Sequence, residues 1–111
     1  MHRFVLVEFP FIDEPENTKL RPALMLSKPT GKHKTVVLAY VTTKKDEVLD
    51  VDVILSRGDK GFLETGLMHD SVIKFYKLTS VEAASIQGEL GALSKALEAE
   101  VSKKLKIVFG L

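Results

Sequence analysis

The fold is decided by two stretches, Leu20–Ser27 (LRPALMLS) and Thr35–Val41 (TVVLAYV), which flank a short turn-forming segment at residues 28–34. In the first stretch, Pro22 disfavours helical geometry at Arg21 and so predicts an extended chain there. In the second, apolar residues run without interruption and are rich in valine, which predicts a strand buried on both faces. Two strands joined by a short turn favour a β-rich domain.

Working outward, the same patterns predict further strands and one helix. The predicted strands are Phe4–Phe9, Ala23–Leu26, Thr35–Val41, Leu49–Leu55, Ser71–Leu78 and Ile86–Leu93. A loop-rich stretch is expected at Gly58–Gly66 and a short helical turn at Ser80–Ser85. Ser94 is a good helix N-cap. It precedes an apolar stripe at helical spacing, formed by Leu97, Val101, Leu105 and Val108.

The order of elements and the composition together indicate the fold class. Strands followed by a terminal helix, without repeated strand–helix–strand units, predict an α+β domain built on an antiparallel sheet or small barrel. With 111 residues, of which 45% are apolar, we expect a single domain over residues 1–111. No apolar run approaches the roughly 20 residues of a membrane span, and because a strand-like pattern begins directly after Met1 we expect no signal peptide. Together with the absence of cysteine, this favours the cytoplasm, although a lack of cysteine alone is also compatible with export.

Charge is nearly balanced overall but unevenly distributed. Sixteen basic and fifteen acidic side chains leave a net charge of +1, so total charge does not indicate a polyanionic partner. From Lys28 to Lys45, however, there are five lysines and one histidine with no carboxylate. Such a stretch is compatible with a basic face for a polyanion, although a solvated loop is the commoner outcome.

Most kinds of catalytic site have no support in the sequence. The three histidines, His2, His33 and His69, lack the spacing of metal ligands, so we expect no metal centre and no cofactor. Neither a GxxxxGK[ST] phosphate loop nor a GxSxG nucleophile elbow occurs. A Ser/His/Asp triad assembled by the fold stays open.

Cationic and hydroxyl side chains lie in or near the ends of predicted strands: Arg21, Thr42, Thr43, Ser71, Lys74 and Tyr76. RNA hydrolysis can proceed with such groups, because the ribose 2′-OH is a built-in nucleophile. The protein then orients it, stabilises charge on the phosphate and moves protons. The simpler alternative is that the arginine forms a surface ion pair and the threonines are merely good strand formers. From these residues alone the function stays open.

Five segments in order resemble the MazF/PemK family of toxins. They are Val5–Phe11 (VLVEFPF), Leu20–Ser27, Val37–Thr42, Gly66–Ile73 (GLMHDSVI) and Gly88–Ser94 (GELGALS). The resemblance implies a small SH3-like barrel of the CcdB/PemK type with a C-terminal helix, acting as a homodimer. It also implies a toxin endoribonuclease that cleaves single-stranded mRNA selectively and without a metal, held silent by a cognate antitoxin.

The resemblance also implies roles for individual residues. Arg21 matches the family arginine that acts on the scissile phosphate, and Thr42 matches the strand-end threonine beside it. A wider RNA-binding set is expected at Lys28, Thr43, Lys44, His69, Ser71, Lys74 and Tyr76. The loop Ile12–Thr18 is expected to flank and gate the groove.

Two departures from the family pattern keep a second function open. His2-Arg3 replaces a Gly-Asp pair, and Lys74 and Tyr76 stand where some members carry an arginine and an aspartate. A tyrosine cannot replace a carboxylate base at neutral pH. The alternative is a non-catalytic or gyrase-directed binding module on the same barrel. The gyrase version is disfavoured because CcdB-type toxins carry a C-terminal tryptophan and this chain has none.

Overall fold

A computed structural model describes residues 2–8 and 20–111, which form one six-stranded antiparallel sheet and two helices. In chain order the elements are β1 (Arg3–Val7), β2 (Arg21–Met25), β3 (Thr35–Thr42), β4 (Val53–Leu55), α1 (Phe62–Thr65), β5 (Ser71–Glu82), a 3₁₀ turn (Ala83–Ser85), β6 (Gly88–Ala92) and α2 (Lys95–Phe109). The strand order across the sheet is β4-β5-β3-β2-β1-β6.

Strand β3 lies inside the sheet, between β2 and β5, and contributes to two hydrophobic clusters. Ala39 and Val41 pack on one face, in the larger cluster beneath α2. Val36 and Leu38 pack on the other face, in a smaller cluster. Successive residues of a strand point to opposite faces, so an uninterrupted apolar run is what a strand buried on both sides requires. The prediction for Thr35–Val41 is confirmed.

The sheet is curled rather than flat. The register between β3 and β5 shifts at Ala39/Tyr40, and the register between β1 and β6 shifts at Phe4/Val5. Such bulges bend a sheet and increase its twist. With α2 packed against one face, the result is an α+β half-barrel of the SH3-like type, which confirms the predicted fold class.

Helix α2 begins at the cap that the sequence predicts. The Ser94 side chain accepts a hydrogen bond from the Leu97 N–H, and Gly110 ends the helix in the left-handed conformation. Leu97 and Val101 are buried, and Leu105 and Val108 pack at the margin of the same cluster. Within the described ranges, no helix is long and apolar enough to span a membrane.

The predicted strand Leu49–Leu55 is wrong over its first half, because only Val53–Leu55 pairs with β5. Residues 49–52 form a turn in which the Asp52 carboxylate accepts a hydrogen bond from the Leu49 N–H at 2.8 Å. Aspartate side chains compete with strand pairing by bonding nearby backbone groups. The alternation of apolar residues therefore predicted too long a strand, because a local polar contact holds residues 49–52 in a turn.

Other boundaries differ more modestly. Strand β5 continues to Glu82 rather than ending at Leu78, because its second half pairs with the start of β3. The loop at Gly58–Gly66 contains the short helix α1. The described part of the first strand ends at Val7, and the predicted end at Phe9 lies outside the described residues.

Gly91 allows β6 to approach the end of α1 closely. A Cβ at this position would lie 2.1 Å from the carbonyl oxygen of Glu64 and 2.7 Å from that of Thr65. Both obstacles are backbone atoms, so a side-chain rotation cannot relieve the overlap. The contact between α1 and the sheet therefore requires glycine.

We expect Gly91→Ala to lower the free energy of unfolding by about 2 kcal/mol, since overpacking costs ~1–3 kcal/mol. Chemical denaturation measures this change. Gly58→Ala is the matched control, because no heavy atom lies within 4 Å of its Cβ position. Equal stability of the two variants would contradict the close approach.

Candidate active site

Three strand ends meet at one edge of the sheet. Arg21 begins β2, Thr42 ends β3 and Ser71 begins β5. Because Ala23 pairs with Tyr40, the same antiparallel register continued by two residues places Arg21 opposite Thr42. The start of β5 lies beside the end of β3, which adds Ser71. Sheet pairing therefore assembles a site from residues 50 positions apart in the chain.

These ends enclose a cavity of about 130 Å³. It is lined by Arg21, Pro22, Tyr40, Val41, Thr42, Thr43, Lys44 and Ser71. The Arg21 guanidinium takes part in no hydrogen bond or ion pair with other residues of the described ranges. A guanidinium carries a permanent charge and a planar set of donors suited to phosphate. The cavity therefore offers an anion-binding group that no described residue engages.

The two hydroxyls at the site are prepared differently. The Thr42 Oγ1 accepts a hydrogen bond from the Lys44 N–H at 3.1 Å, which leaves its own proton free to donate. The Ser71 Oγ is nearly buried and donates its proton to the His69 carbonyl at 2.8 Å. Thr42 can thus donate to a phosphate oxygen, whereas Ser71 stabilises the entry to β5.

A second, larger cavity of about 630 Å³ adjoins the first and shares Thr43 with it. Its described lining also includes Lys45, Arg57, His69 and Asp70. Asp70 accepts a hydrogen bond from the Arg57 N–H at 2.8 Å and lies 3.5 Å from the Lys45 ammonium. Asp70 is the one carboxylate among the described lining residues of both cavities, which leaves the combined surface cationic.

The Asp70 carboxylate is stabilised in its charged form. The Arg57 backbone N–H, with the Lys45 ammonium as a lesser cause, holds the pKa of Asp70 below its usual value of 3.8. Hydrogen bonding and a nearby cation both favour ionisation. Asp70 therefore serves as an acceptor that ties Arg57 and Lys45 to the rim of the second cavity.

The structure brings six of the nine residues singled out in the sequence to the two adjoining cavities, and it places the other three elsewhere. Arg21, Thr42, Thr43, Lys44 and Ser71 line the first cavity, and His69 lines the second. Lys28 lies in the turn at the opposite end of β2 from Arg21. Tyr76 is 64% exposed and lines neither cavity.

Lys74 has a different environment from the one expected for a phosphate ligand. Its ammonium lies 2.8 Å from an oxygen of Asp52 and also donates to the carbonyl of Glu47. It lines neither cavity. The loop Ile12–Thr18, expected to gate the groove, lies outside the described residues.

Several residues of the site were not singled out in the sequence. Tyr40, Arg57 and Asp70 line the cavities, and Asp52 pairs with Lys74. Tyr40 lies two residues before Thr42, at the spacing that places side chains on one face of a strand. Arg57 and Asp70 are 13 residues apart in loops, and no local pattern links them. Within residues 2–8 and 20–111 there is no group of three or more potential metal ligands.

A curled antiparallel sheet with a C-terminal helix defines the structural class, and solved structures share it. Mycobacterium tuberculosis toxin MazF-mt6 superposes with a TM-score of 0.72 at 18% identity, covering 98% of this chain and 97% of that one. An "Endoribonuclease in complex with its cognate antitoxin from Mycobacterial species" gives 0.68 at 14% identity, covering 98% and 90%. At these identities the likeness establishes the fold.

The family follows from the sequence match. Residues 2–109 match the family described as "PemK-like, MazF-like toxin of type II toxin-antitoxin system", and the chain belongs to this family. The resemblance recognised in the five segments is thereby confirmed. No curated protein matches the sequence.

We expect Asp70→Asn to flatten the acid side of the stability profile. A carboxyl whose pKa is lowered on folding contributes stability above its unfolded pKa, and that contribution is lost as pH falls through the lower, folded value. Unfolding free energies measured from about pH 5 down to pH 2 should therefore fall less steeply in the variant. Asp46→Asn, at an exposed residue of the β3–β4 loop, is the control and should keep the parental slope. Identical slopes in all three proteins would contradict the assignment.

Proposed function

We propose that this chain is the toxin of a toxin–antitoxin pair and acts as an endoribonuclease on single-stranded RNA. The observation that carries the proposal is the Arg21 guanidinium, which no other residue of the described ranges engages and which lines the same cavity as Thr42, in a member of the PemK/MazF toxin family. The proposal is further supported by the structural neighbour described as an endoribonuclease in complex with its cognate antitoxin.

In the proposed reaction, the ribose 2′-OH attacks the adjacent phosphorus while the bond to the 5′ oxygen breaks. The 2′ proton leaves to a base and the departing 5′ oxygen gains a proton, so the products are a 2′,3′-cyclic phosphate and a 5′-OH end. Arg21 stabilises the negative charge that grows on the phosphate oxygens, and Thr42 donates a hydrogen bond to one of them. Neither step requires a metal, so we propose that cleavage is metal-independent.

The second cavity suits the continuation of the strand beyond the scissile phosphate. Lys45 and Arg57 supply positive charge for the backbone, and His69 and Thr43 supply groups that can stack on or hydrogen-bond to an unpaired base. Base-edge contacts of this kind are the means by which single-stranded RNA is read. We therefore propose that cleavage is selective for a short sequence.

The same proposal includes partners and setting. A cognate antitoxin is expected to cover the cationic surface, since a flexible acidic segment can fold onto such a surface and exclude RNA. We also propose a cytoplasmic homodimer, as the family resemblance implies.

The direct test incubates the purified chain with several long single-stranded RNAs in the presence of EDTA and maps the new ends. We expect cuts at a short recurring motif with cyclic phosphate and 5′-OH ends. Arg21→Ala should lower kcat on the order of 10²- to 10³-fold, the usual loss on removing one transition-state donor. Arg3→Ala is the matched control. Arg3 lies at the end of β1 that is away from Arg21, in an exposed ion pair with Glu89.

Two results would count against the proposal. Full activity of a folded Arg21→Ala protein would remove Arg21 from the mechanism. Cleavage of none of the RNAs by folded, antitoxin-free protein would favour the binding-module alternative, with gyrase inhibition as its own assay.

Thr42→Val tests the second catalytic assignment separately. It removes the hydroxyl while keeping a β-branched side chain in β3, so the fold should persist and kcat should fall about 10- to 100-fold. Thr35→Val makes the same change at the far end of the same strand, on an exposed residue, and should leave kcat unchanged. Parental kcat in Thr42→Val would exclude the hydroxyl from transition-state stabilisation.

A further inference from the structure

Lys74 and Asp52 form a shielded ion pair beside the proposed active site. The Lys74 ammonium lies 2.8 Å from Asp52 Oδ2, and the two side chains are 12% and 0% exposed. Lys74 pairs with Tyr40 across β3–β5, and the β4–β5 register continued by one pair places Asp52 on its other side. The pair therefore links Asp52, the residue before β4, to the β5 residue that lies opposite the cavity-lining Tyr40.

The pair also holds the loop at residues 43–52. The Lys74 ammonium donates to the Glu47 carbonyl as well as to Asp52, and Asp52 Oδ2 accepts from the Leu49 N–H at 2.8 Å. This loop begins with Thr43 and Lys44, which line the first cavity, and the Lys44 N–H bonds the Thr42 hydroxyl. One end of the loop forms the site, and the other end is tied down by the pair.

Burial makes the two charges depend on each other. Asp52 Oδ1 is buried and accepts no hydrogen bond from the described residues, so the carboxylate relies on Oδ2 for its polar contacts. Removing one member of a buried pair leaves the other charged and unpaired, which is strongly unfavourable. The ion pair between Lys74 and Asp52 therefore favours the one arrangement of the 43–52 loop in which both charges stay paired.

We infer that Lys74 and Asp52 are positioning residues, which hold the 43–52 loop so that Thr42, Thr43 and Lys44 keep their places in the cavity. The inference rests on the proposed ribonuclease function. In this role Lys74 does not bind RNA phosphate, because Asp52 and the Glu47 carbonyl accept from two of its three donors and its side chain is only 12% exposed. Its effect on cleavage passes through the loop.

The two roles predict opposite effects of Asp52→Asn. If Lys74 contacted phosphate, releasing it from Asp52 would preserve or strengthen RNA binding, and the added net positive charge would act in the same direction. If the pair positions the loop, Asp52→Asn weakens cleavage as Lys74→Met does, despite that charge.

The experiment compares the parent with Lys74→Met, Asp52→Asn and the double variant Lys74→Met/Asp52→Leu. The double variant leaves no buried charge unpaired, and such apolar replacements of buried pairs generally fold. We expect each to lower kcat about 10- to 100-fold with a smaller change in KM, since misplaced groups cost orientation. The double loss should match the larger single loss rather than their product, because the residues act as one unit. Lys103→Met, at an exposed residue of α2, is the control.

Salt dependence gives a second readout. Loss of one phosphate contact to single-stranded RNA would reduce the slope of log binding constant against log salt by about 0.7. We expect Lys74→Met to keep the parental slope. A reduced slope, or parental cleavage by Asp52→Asn alongside impaired Lys74→Met, would overturn the positioning role.

Hydrogen exchange at the Leu49 amide separates this inference from the ribonuclease proposal. If the parent cleaves no RNA, the proposed function fails, but the loop contact is still tested. We expect faster Leu49 exchange in Lys74→Met and in the double variant, with β3 amides unchanged. Parental exchange rates in both would overturn the inference.

Discussion

The pairing of β3 with β2 on one side and β5 on the other is the constraint on which the rest of the structure depends. Since β3 is apolar on both faces, it is stable only inside the sheet, with one cluster above it and one below. Once it lies there, antiparallel register brings the start of β2 and the start of β5 to its C-terminal end. The cavity thus follows from the burial of a strand that contributes mostly apolar residues.

The capacity of the basic residues near the candidate site to bind phosphate depends on whether each already has an ion-pair partner. Arg21 is unengaged by the described residues, whereas Lys45 is paired with Asp70, and Lys74 with Asp52. A count of basic residues would treat these three alike. Their capacity to bind phosphate differs, because Lys74 must first lose the buried carboxylate of Asp52, whereas the pair of Lys45 with Asp70 is largely exposed and is easily exchanged.

The loop between β3 and β4 shows how a site on irregular backbone can be kept in place. A loop has few cross-strand hydrogen bonds of its own, so its position depends on side chains that reach it. Here Lys74 from β5 and Lys104 from α2 each donate to one of its carbonyl groups. Both donors come from regular elements, so the geometry of the sheet and helix is passed to the loop. This is the support that transition-state stabilisation needs, since preorganised donors act without reorganising during the reaction.

The sequence by itself determined the elements whose cause is local or periodic. The two-sided apolar run of β3, the extended start of β2 at Arg21-Pro22 and the Ser94 cap of α2 each follow from neighbouring residues. The α+β class, the family and the grouping of Arg21 with Thr42 could also be predicted, the last two through resemblance. Tertiary structure alone decided that Lys74 is engaged by Asp52 and that Lys28 lies at the far end of the sheet from Arg21. Those outcomes depend on contacts between residues distant in the chain and on burial, and neither is encoded in the spacing of residue types along one segment.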